Sequence, residues 1–241
     1  MAEQTSAQTY LDSTRASYDT VAADYAELLA DELAPKPLDR AMLGVFAEVV
    51  GPKARAVELG CGPGRVTAHL RGLGLEGIFG IDLSPGMIEV ARQRHPGIRF
   101  EVGSMTELDL PDASLDGAVA WYSTVHTPPE LLPTVFAEIH RVLAPGGRLL
   151  LAFKVGDRHR RLSQGYGHAV DLDVYWLPLD QVAALLTDAG FTLDARLVRA
   201  PDESERPTQG EQAFFLATRP APEASGIDGG RHAADTPANA C

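Results

Sequence analysis

Val57-Glu58-Leu59-Gly60-Cys61-Gly62-Pro63-Gly64-Arg65 is the stretch that decides the fold. A short apolar run, Arg55 to Leu59, reads as a strand that ends in glycine, and Arg65 to Arg71 reads as a helix. A glycine-rich loop between a strand and a helix is the setting of a nucleotide-type site, where the backbone turns sharply and approaches a ligand closely. A dinucleotide loop spaces its glycines G-x-G-x-x-G and offers its amides to a pyrophosphate. Here the spacing is G-x-G-x-G, and Arg65 stands where the third dinucleotide glycine would fall. Glu58, two residues before the first glycine, would repel a pyrophosphate and suit a ligand that carries positive charge.

Outward from this loop, strand-like runs alternate with helical patterns. Gly77–Asp82, Ile98–Val102, Leu115–Trp121 and Arg148–Phe153 read as further strands, and Thr192–Arg199 and Gln212–Thr218 as two more. Ser84 is a good N-cap for a helix that starts at Pro85 and runs to Arg94. Pro128 to Leu143 is apolar at helical spacing and stops at Ala144-Pro145-Gly146-Gly147. Leu179–Ala189 ends at Gly190, and two helical segments, Asp12–Asp31 and Leu38–Val50, precede the first strand. Alternation of this kind predicts an α/β fold with a mostly parallel sheet covered on both faces. The last two strands lack a clear helix between them, so one is expected to run antiparallel.

Composition narrows the function. Of 241 residues, 21 are Lys or Arg and 33 Asp or Glu, a net charge of −12. That charge disfavours nucleic acid and anionic membrane surfaces as partners. Two cysteines, Cys61 and Cys241, exclude a disulfide framework, and the histidines lack metal-ligand spacing. Met1 to Tyr10 has no signal-peptide pattern and no apolar run spans a bilayer, so a soluble, cytoplasmic protein is expected. Residues 1–10 read as a flexible N-terminus, 11–218 as one domain with caps at 11–50 and 155–177, and 219–241 as a disordered tail.

Four segments in order then resemble the class I S-adenosylmethionine-dependent methyltransferases of small-molecule type: Glu58–Gly64 (ELGCGPG), Gly80–Ser84 (GIDLS), Val102–Met105 (VGSM) and His140–Leu149 (HRVLAPGGRL). The resemblance runs from about Tyr18 to Thr218 and implies a Rossmann-like, doubly wound sheet of seven strands, the last inserted antiparallel. It implies S-adenosylmethionine as cofactor. Asp82, about 20 residues past the loop, would accept from the ribose hydroxyls. Glu58 would help to hold the cationic amino acid end, and the backbone of Gly60, Cys61, Gly62 and Gly64 would pass beside the cofactor. Leu83 and Met87 would pack near the adenine, and the Met105 amide would donate to it. Ser104 would also line the cofactor site, where the family often places an aspartate that accepts from the adenine amino group. Ala120 and Trp121 would face the amino acid end, and Tyr18, on the N-terminal helix that closes over the cofactor in similar enzymes, would contact it too. Cys61 is read as an inert thiol.

Methyl transfer is an in-line displacement that asks the protein mainly to align a nucleophile, with a base only where the acceptor must lose a proton. His126, at the carboxyl edge of the sheet, is the first base candidate, with Tyr18, Tyr122 and His168 as further catalytic candidates. Tyr25, Trp121, Tyr122, His126, Tyr166, His168 and Trp176 are read as the acceptor pocket. Rings of this kind suit a small aromatic or heteroaromatic acceptor, an indole being one option. A non-aromatic metabolite, a non-catalytic sensor of the cofactor, and a monomer or homodimer all fit the same sequence. A nicotinamide-dependent oxidoreductase lacks its third glycine, and Arg158-His159-Arg160-Arg161 reads as a solvated loop.

Overall fold

The computed structural model describes residues 2–203, 205 and 210–222. Seven strands form one sheet in the order β3-β2-β1-β4-β5-β9-β8. They are β1 (Arg55–Leu59), β2 (Gly77–Asp82), β3 (Phe100–Val102), β4 (Leu115–Trp121), β5 (Leu143–Lys154), β8 (Thr192–Arg199) and β9 (Gln212–Thr218). Strands β3, β2, β1, β4 and β5 pair in parallel. Strand β9 lies antiparallel to both β5 and β8, as the missing crossover helix requires. The strand order reverses between β1 and β4, and in doubly wound sheets ligands bind at that reversal, beyond the carboxyl ends.

Helices cover both faces. On one, α2 (Pro37–Val50) and α3 (Arg65–Gly72) bury Leu43, Phe46, Val66 and Leu70 against Ala56, Val119 and Leu150. On the other, α5 (Leu132–Val142) and α6 (Leu179–Asp188) bury Val135, Phe136, Ile139 and Leu186 against Val57, Leu149 and Phe215. Helix α4 (Pro85–Arg94) starts as its sequence signals: the Ser84 hydroxyl accepts from the Met87 amide at 3.0 Å.

Several boundaries differ from expectation for physical reasons. Helix α5 begins at Leu132, because Pro128 and Pro129 confine the preceding residues to a short 3₁₀ turn. Strand β5 starts at Leu143, five residues early, since its first residue already pairs with Leu115 across a bulge. Helix α1 (Ala2–Leu28) reaches well into the segment read as a flexible N-terminus; its alanines and glutamines are good helix formers. Arg219, placed at the start of the tail, belongs to the fold. Its amide donates to Gly147 O at 2.9 Å, and its guanidinium covers the carbonyls of His140 and Arg141 at the end of α5. Residues 223–241 of the tail, Cys241 included, lie outside the described residues.

The insert after the fifth strand is a hairpin, β6 (Arg158–Gly165) and β7 (His168–Trp176). Its turn, Tyr166-Gly167, has φ of 53° and 84°, the signature of a tight hairpin turn that matches strand twist. The segment Arg158 to Arg161 is therefore a strand and not a loop. Its side chains are almost all exposed, so no alternation of apolar residues betrays it. No described helix is long and apolar enough to cross a membrane.

Candidate active site

At the carboxyl ends of β1, β2, β4 and β5 lies a cavity of about 820 Å³, roofed by α1 and the hairpin. The glycine loop forms its floor. Gly60 and Cys61 both donate to Ile81 O, at 2.7 and 3.0 Å, which ties the loop to the end of β2. Gly60 has φ +68°, and a Cβ there would sit 2.3 Å from Ser123 Cβ. Only glycine lets the loop and the end of β4 approach so closely. Gly64 serves another purpose. It has φ +79° and packs against Phe100 and His95, away from the cavity.

Asp82 straps the loop: one oxygen accepts from the Gly62 amide at 2.8 Å and the other from the Ser84 amide at 2.8 Å. It thus has a structural task as well as a place on the cavity wall, and each oxygen keeps capacity for a further donor. Burial raises its pKa to about 6. Glu58 stands behind the loop, away from the cavity lining, where the Thr67 hydroxyl donates to it. Burial, only partly offset by that hydrogen bond, lifts its pKa to about 8. A direct contact of Glu58 with a ligand's ammonium is therefore not what the structure arranges.

Of the other expected cofactor residues, Gly60, Gly62, Leu83, Met87, Ser104, Met105 and Trp121 line the cavity. Cys61 and Ala120 are buried outside it, and burial pushes the Cys61 thiol well up, which leaves it inert. Ser104 is turned to Thr106, whose amide and hydroxyl its Oγ engages at 3.2 and 2.8 Å. The lining fits an adenosyl sulfonium compound. Asp82 presents acceptors for vicinal hydroxyls beside a floor that glycine keeps open. Met87, Leu83 and Val135 give apolar surface for a base, and the buried Ser123 Oγ, beside Gly60, has no hydrogen-bond partner among the described residues.

The roof supplies the reactive side chains. Helix α1 is pinned by Asp19, which accepts from Ser84 Oγ at 2.5 Å and Gly86 N at 2.8 Å, and by Tyr10 to Thr127 at 3.0 Å. This seats the Tyr18 hydroxyl 2.6 Å from His126 Nε2. His126 Nδ1 lies 2.7 Å from the Asp173 carbonyl of β7. A carbonyl only accepts, so Nδ1 carries the proton and Nε2 accepts from Tyr18. Burial lowers the pKa of His126 and raises that of Tyr18 well above its usual value, so a neutral imidazole faces a neutral phenol. Tyr25 stands edge-on to Tyr18 at 5.9 Å and to Tyr166 at 4.8 Å between ring centroids.

Tyr25, Trp121, Tyr122, Tyr166 and Trp176 line the same cavity, as the sequence suggested. His168 does not. Its Nε2 pairs with Asp24 at 2.5 Å on the outer surface and helps to dock the hairpin on α1. Tyr122 has φ +55°, a costly conformation for an aromatic residue, of the kind that concentrates at functional sites. Sequence reading missed Lys154, Arg65, Glu32 and Gln212 in the lining. Lys154 was within reach of the rule that strand tips meet ligands, since it ends β5.

Fold, glycine floor and acidic strap together define the Rossmann-like class that binds adenosyl cofactors at the switch point. Residues 56–147 match the methyltransferase domain family. The chain is 31% identical over 134 residues to the malonyl-[acyl-carrier protein] O-methyltransferase of Serratia marcescens, covering 54% of this chain and 51% of that protein. It is 43% identical over 100 residues to the trans-aconitate 2-methyltransferase of Methylobacterium nodulans, covering 40% and 36%. The chain thus spans about half the length, or less, of these curated relatives. Its fold matches that of Burkholderia thailandensis 1,6-didemethyltoxoflavin-N1-methyltransferase, solved with S-adenosylhomocysteine, at a TM-score of 0.67, 24% identity and 89% and 90% coverage. These likenesses support a class I S-adenosylmethionine-dependent methyltransferase, the class whose cofactor is S-adenosylmethionine.

Proposed function

We propose that this protein transfers a methyl group to a small aromatic or heteroaromatic acceptor. The observation that carries the reading is the Tyr18–His126 pair, held 2.6 Å apart in the wall of a cavity whose floor fits the cofactor. S-adenosylmethionine, when bound, supplies the electrophilic methyl and the leaving group. Asp82 would hold its ribose and the Gly60–Gly62 backbone would let its amino acid end lie close to the sheet. Tyr18, Tyr25 and Tyr166 would present ring faces to the acceptor and exclude water.

The proton path follows from the hydrogen-bond directions. A nucleophile that bears a proton would give it to the Tyr18 oxygen, while the Tyr18 proton passes to His126 Nε2. The Asp173 carbonyl keeps the imidazole in the tautomer that can receive it. His126 is thus the final base and Tyr18 the group that meets the acceptor, a task general-base catalysis supports by roughly 10²–10⁴-fold. An acidic, non-aromatic acceptor is the second reading, favoured by the names of the trans-aconitate and malonyl-carrier relatives.

The test is a screen of small acceptors by mass spectrometry for the gain of one methyl group, repeated with His126→Ala. Turnover of aromatic acceptors that fails in His126→Ala, with cofactor still bound, supports the reading. Full turnover in that variant refutes the base assignment.

A further inference from the structure

Three tyrosine rings meet above the glycine floor. Tyr25 stands 5.9 Å from Tyr18 and 4.8 Å from Tyr166 between ring centroids. The Tyr25 ring reaches within 3.9 Å of the point where a Gly62 Cβ would sit, so it roofs the residue whose amide donates to Asp82. Tyr166 is held in a strained place. It occupies the hairpin turn at φ +53°, where asparagine or glycine is favoured and an aromatic residue is not. Its ring nevertheless lines the cavity beside Tyr25.

A sulfonium enclosed in this cavity needs a partner, because an unpaired buried cation is costly. The acids in the described lining are engaged or remote. Asp82 accepts from the Gly62 and Ser84 amides at 2.8 Å each and is the proposed ribose acceptor. Glu32 pairs with Arg65 at 2.6 Å and with Lys36 at 2.9 Å, and Glu205 with Arg199 at 2.6 Å and with Lys36 at 3.0 Å. Glu27 and Asp31 stand on the exposed rim. Glu58 lies behind the loop and, with its pKa lifted to about 8 by burial, keeps its proton at neutral pH. The electron-rich groups left beside the floor are the tyrosine rings. A ring face attracts a cation through its quadrupole and offers no carboxylate to compete for the methyl.

We infer that Tyr25 and Tyr166 grip the cofactor's sulfonium with their rings and so tilt the site toward S-adenosylmethionine and away from S-adenosylhomocysteine. This rests on the methyl-transfer reading above and adds to it how the spent cofactor is told from the fresh one. A single methylene separates the sulfur from the ribose, so a ribose on Asp82 brings the sulfur onto the floor that Tyr25 roofs. The methyl lies between sulfur and acceptor, so rings that border the acceptor border the sulfonium as well. On transfer the bond from sulfur to methyl breaks, the electron pair stays on sulfur, and the new bond forms to the acceptor. The sulfur becomes a neutral thioether, the attraction to the rings ends with the charge, and the product is released more readily.

The test is calorimetry at pH 7 on the full chain with S-adenosylmethionine and, separately, S-adenosylhomocysteine. The quantity read is the ratio of the two affinities. Tyr25→Leu should lower that ratio about tenfold in favour of the thioether, with S-adenosylhomocysteine affinity kept. Tyr25→Phe keeps the ring face and should keep the ratio. Tyr166→Asn suits the turn, so it should melt at a higher temperature than the unmodified protein and yet show a lowered ratio. A purely structural role for the two rings would not lower selectivity in a more stable protein. The inference is overturned if Tyr25→Leu and Tyr166→Asn both leave the ratio unchanged, or if Tyr25→Phe lowers it as far as Tyr25→Leu does. Failure of the unmodified protein to bind either compound would instead remove the reading beneath it.

Discussion

Gly60→Ala should collapse the floor of the cavity, and the structure gives the scale. The added Cβ would lie 2.3 Å from Ser123 Cβ, where carbon atoms prefer about 3.5–4.0 Å. Loop or strand tip must therefore move by roughly 1.2 Å. Overpacking of this kind costs about 1–3 kcal/mol. A φ of +68° adds roughly 1–2 kcal/mol for a residue with a Cβ, which makes ~2–5 kcal/mol in all. The displacement also strains the two bonds from Gly60 and Cys61 to Ile81 O, so the loss falls where the ligand lies. A misplacement of about 1 Å in a positioned site can cost on the order of 100-fold, and that is the expected drop in S-adenosylhomocysteine affinity. Two comparisons isolate the cause. Gly74→Ala also has positive φ, +95°, but open space, so it should lose only the backbone cost and no affinity. Ser123→Gly removes the atom that is struck, so Gly60→Ala with Ser123→Gly should regain affinity over Gly60→Ala alone. Urea denaturation and calorimetry read both quantities. Gly60→Ala that binds as tightly as the unmodified protein, at unchanged stability, would show that this close approach does not shape the site.

Three further outcomes are expected. Tyr18→Phe should retain cofactor affinity but lower turnover of a proton-bearing acceptor by about 10²-fold or more; because burial lowers the His126 pKa, the acid limb of the rate in the unmodified protein should fall below the ordinary histidine value of ~6.5. The Glu58 pKa is raised from 4.5 to about 8, so the folded state binds the extra proton and stability should decline as pH rises between those values. Glu58→Gln should flatten that slope in pH-dependent melts, the upper bound being roughly 5 kcal/mol from about 1.4 kcal/mol per pH unit; an unaltered slope would exclude Glu58 as its source. Arg199→Leu strands Asp39 and Glu205 without their shared guanidinium, and a loss of about 3–5 kcal/mol in denaturant midpoint analysis is expected. A change below ~1 kcal/mol would show that solvent or Lys36 replaces it.

The sheet was legible because its strands are buried on both faces and so read as apolar runs; Leu115–Trp121 and Gly77–Asp82 match their strands residue for residue. The Ser84-Pro85 start of α4 was equally plain, since capping chemistry is local. The hairpin was hidden, because Arg158–Gly165 pairs through its backbone while its side chains meet water. The pairing of Tyr18 with His126 joins residues 108 apart in sequence, and no local pattern encodes such a meeting. Both residues could still be nominated, one from a helix before the sheet and one from a strand tip. His168 was misjudged for the same reason in reverse. The hairpin register turns it toward Asp24, and that register is set by the Tyr166-Gly167 turn. Glu58 and Asp82 show what a motif leaves open: spacing located both carboxyls, but only the packing around Thr67 and Gly62 separates the one behind the loop from the one that faces the cavity.

Methyl transfer requires the cavity at the tip of β1 and β2 to accept an adenosyl sulfonium compound in preference to a dinucleotide. Titrating the purified chain with S-adenosylmethionine and, separately, with oxidised nicotinamide adenine dinucleotide measures this directly. The expected result is saturable binding of the first at one site per chain, greatly weakened by Asp82→Ala, and none of the second. Heat from the dinucleotide alone, or no binding of S-adenosylmethionine by folded protein, would contradict it.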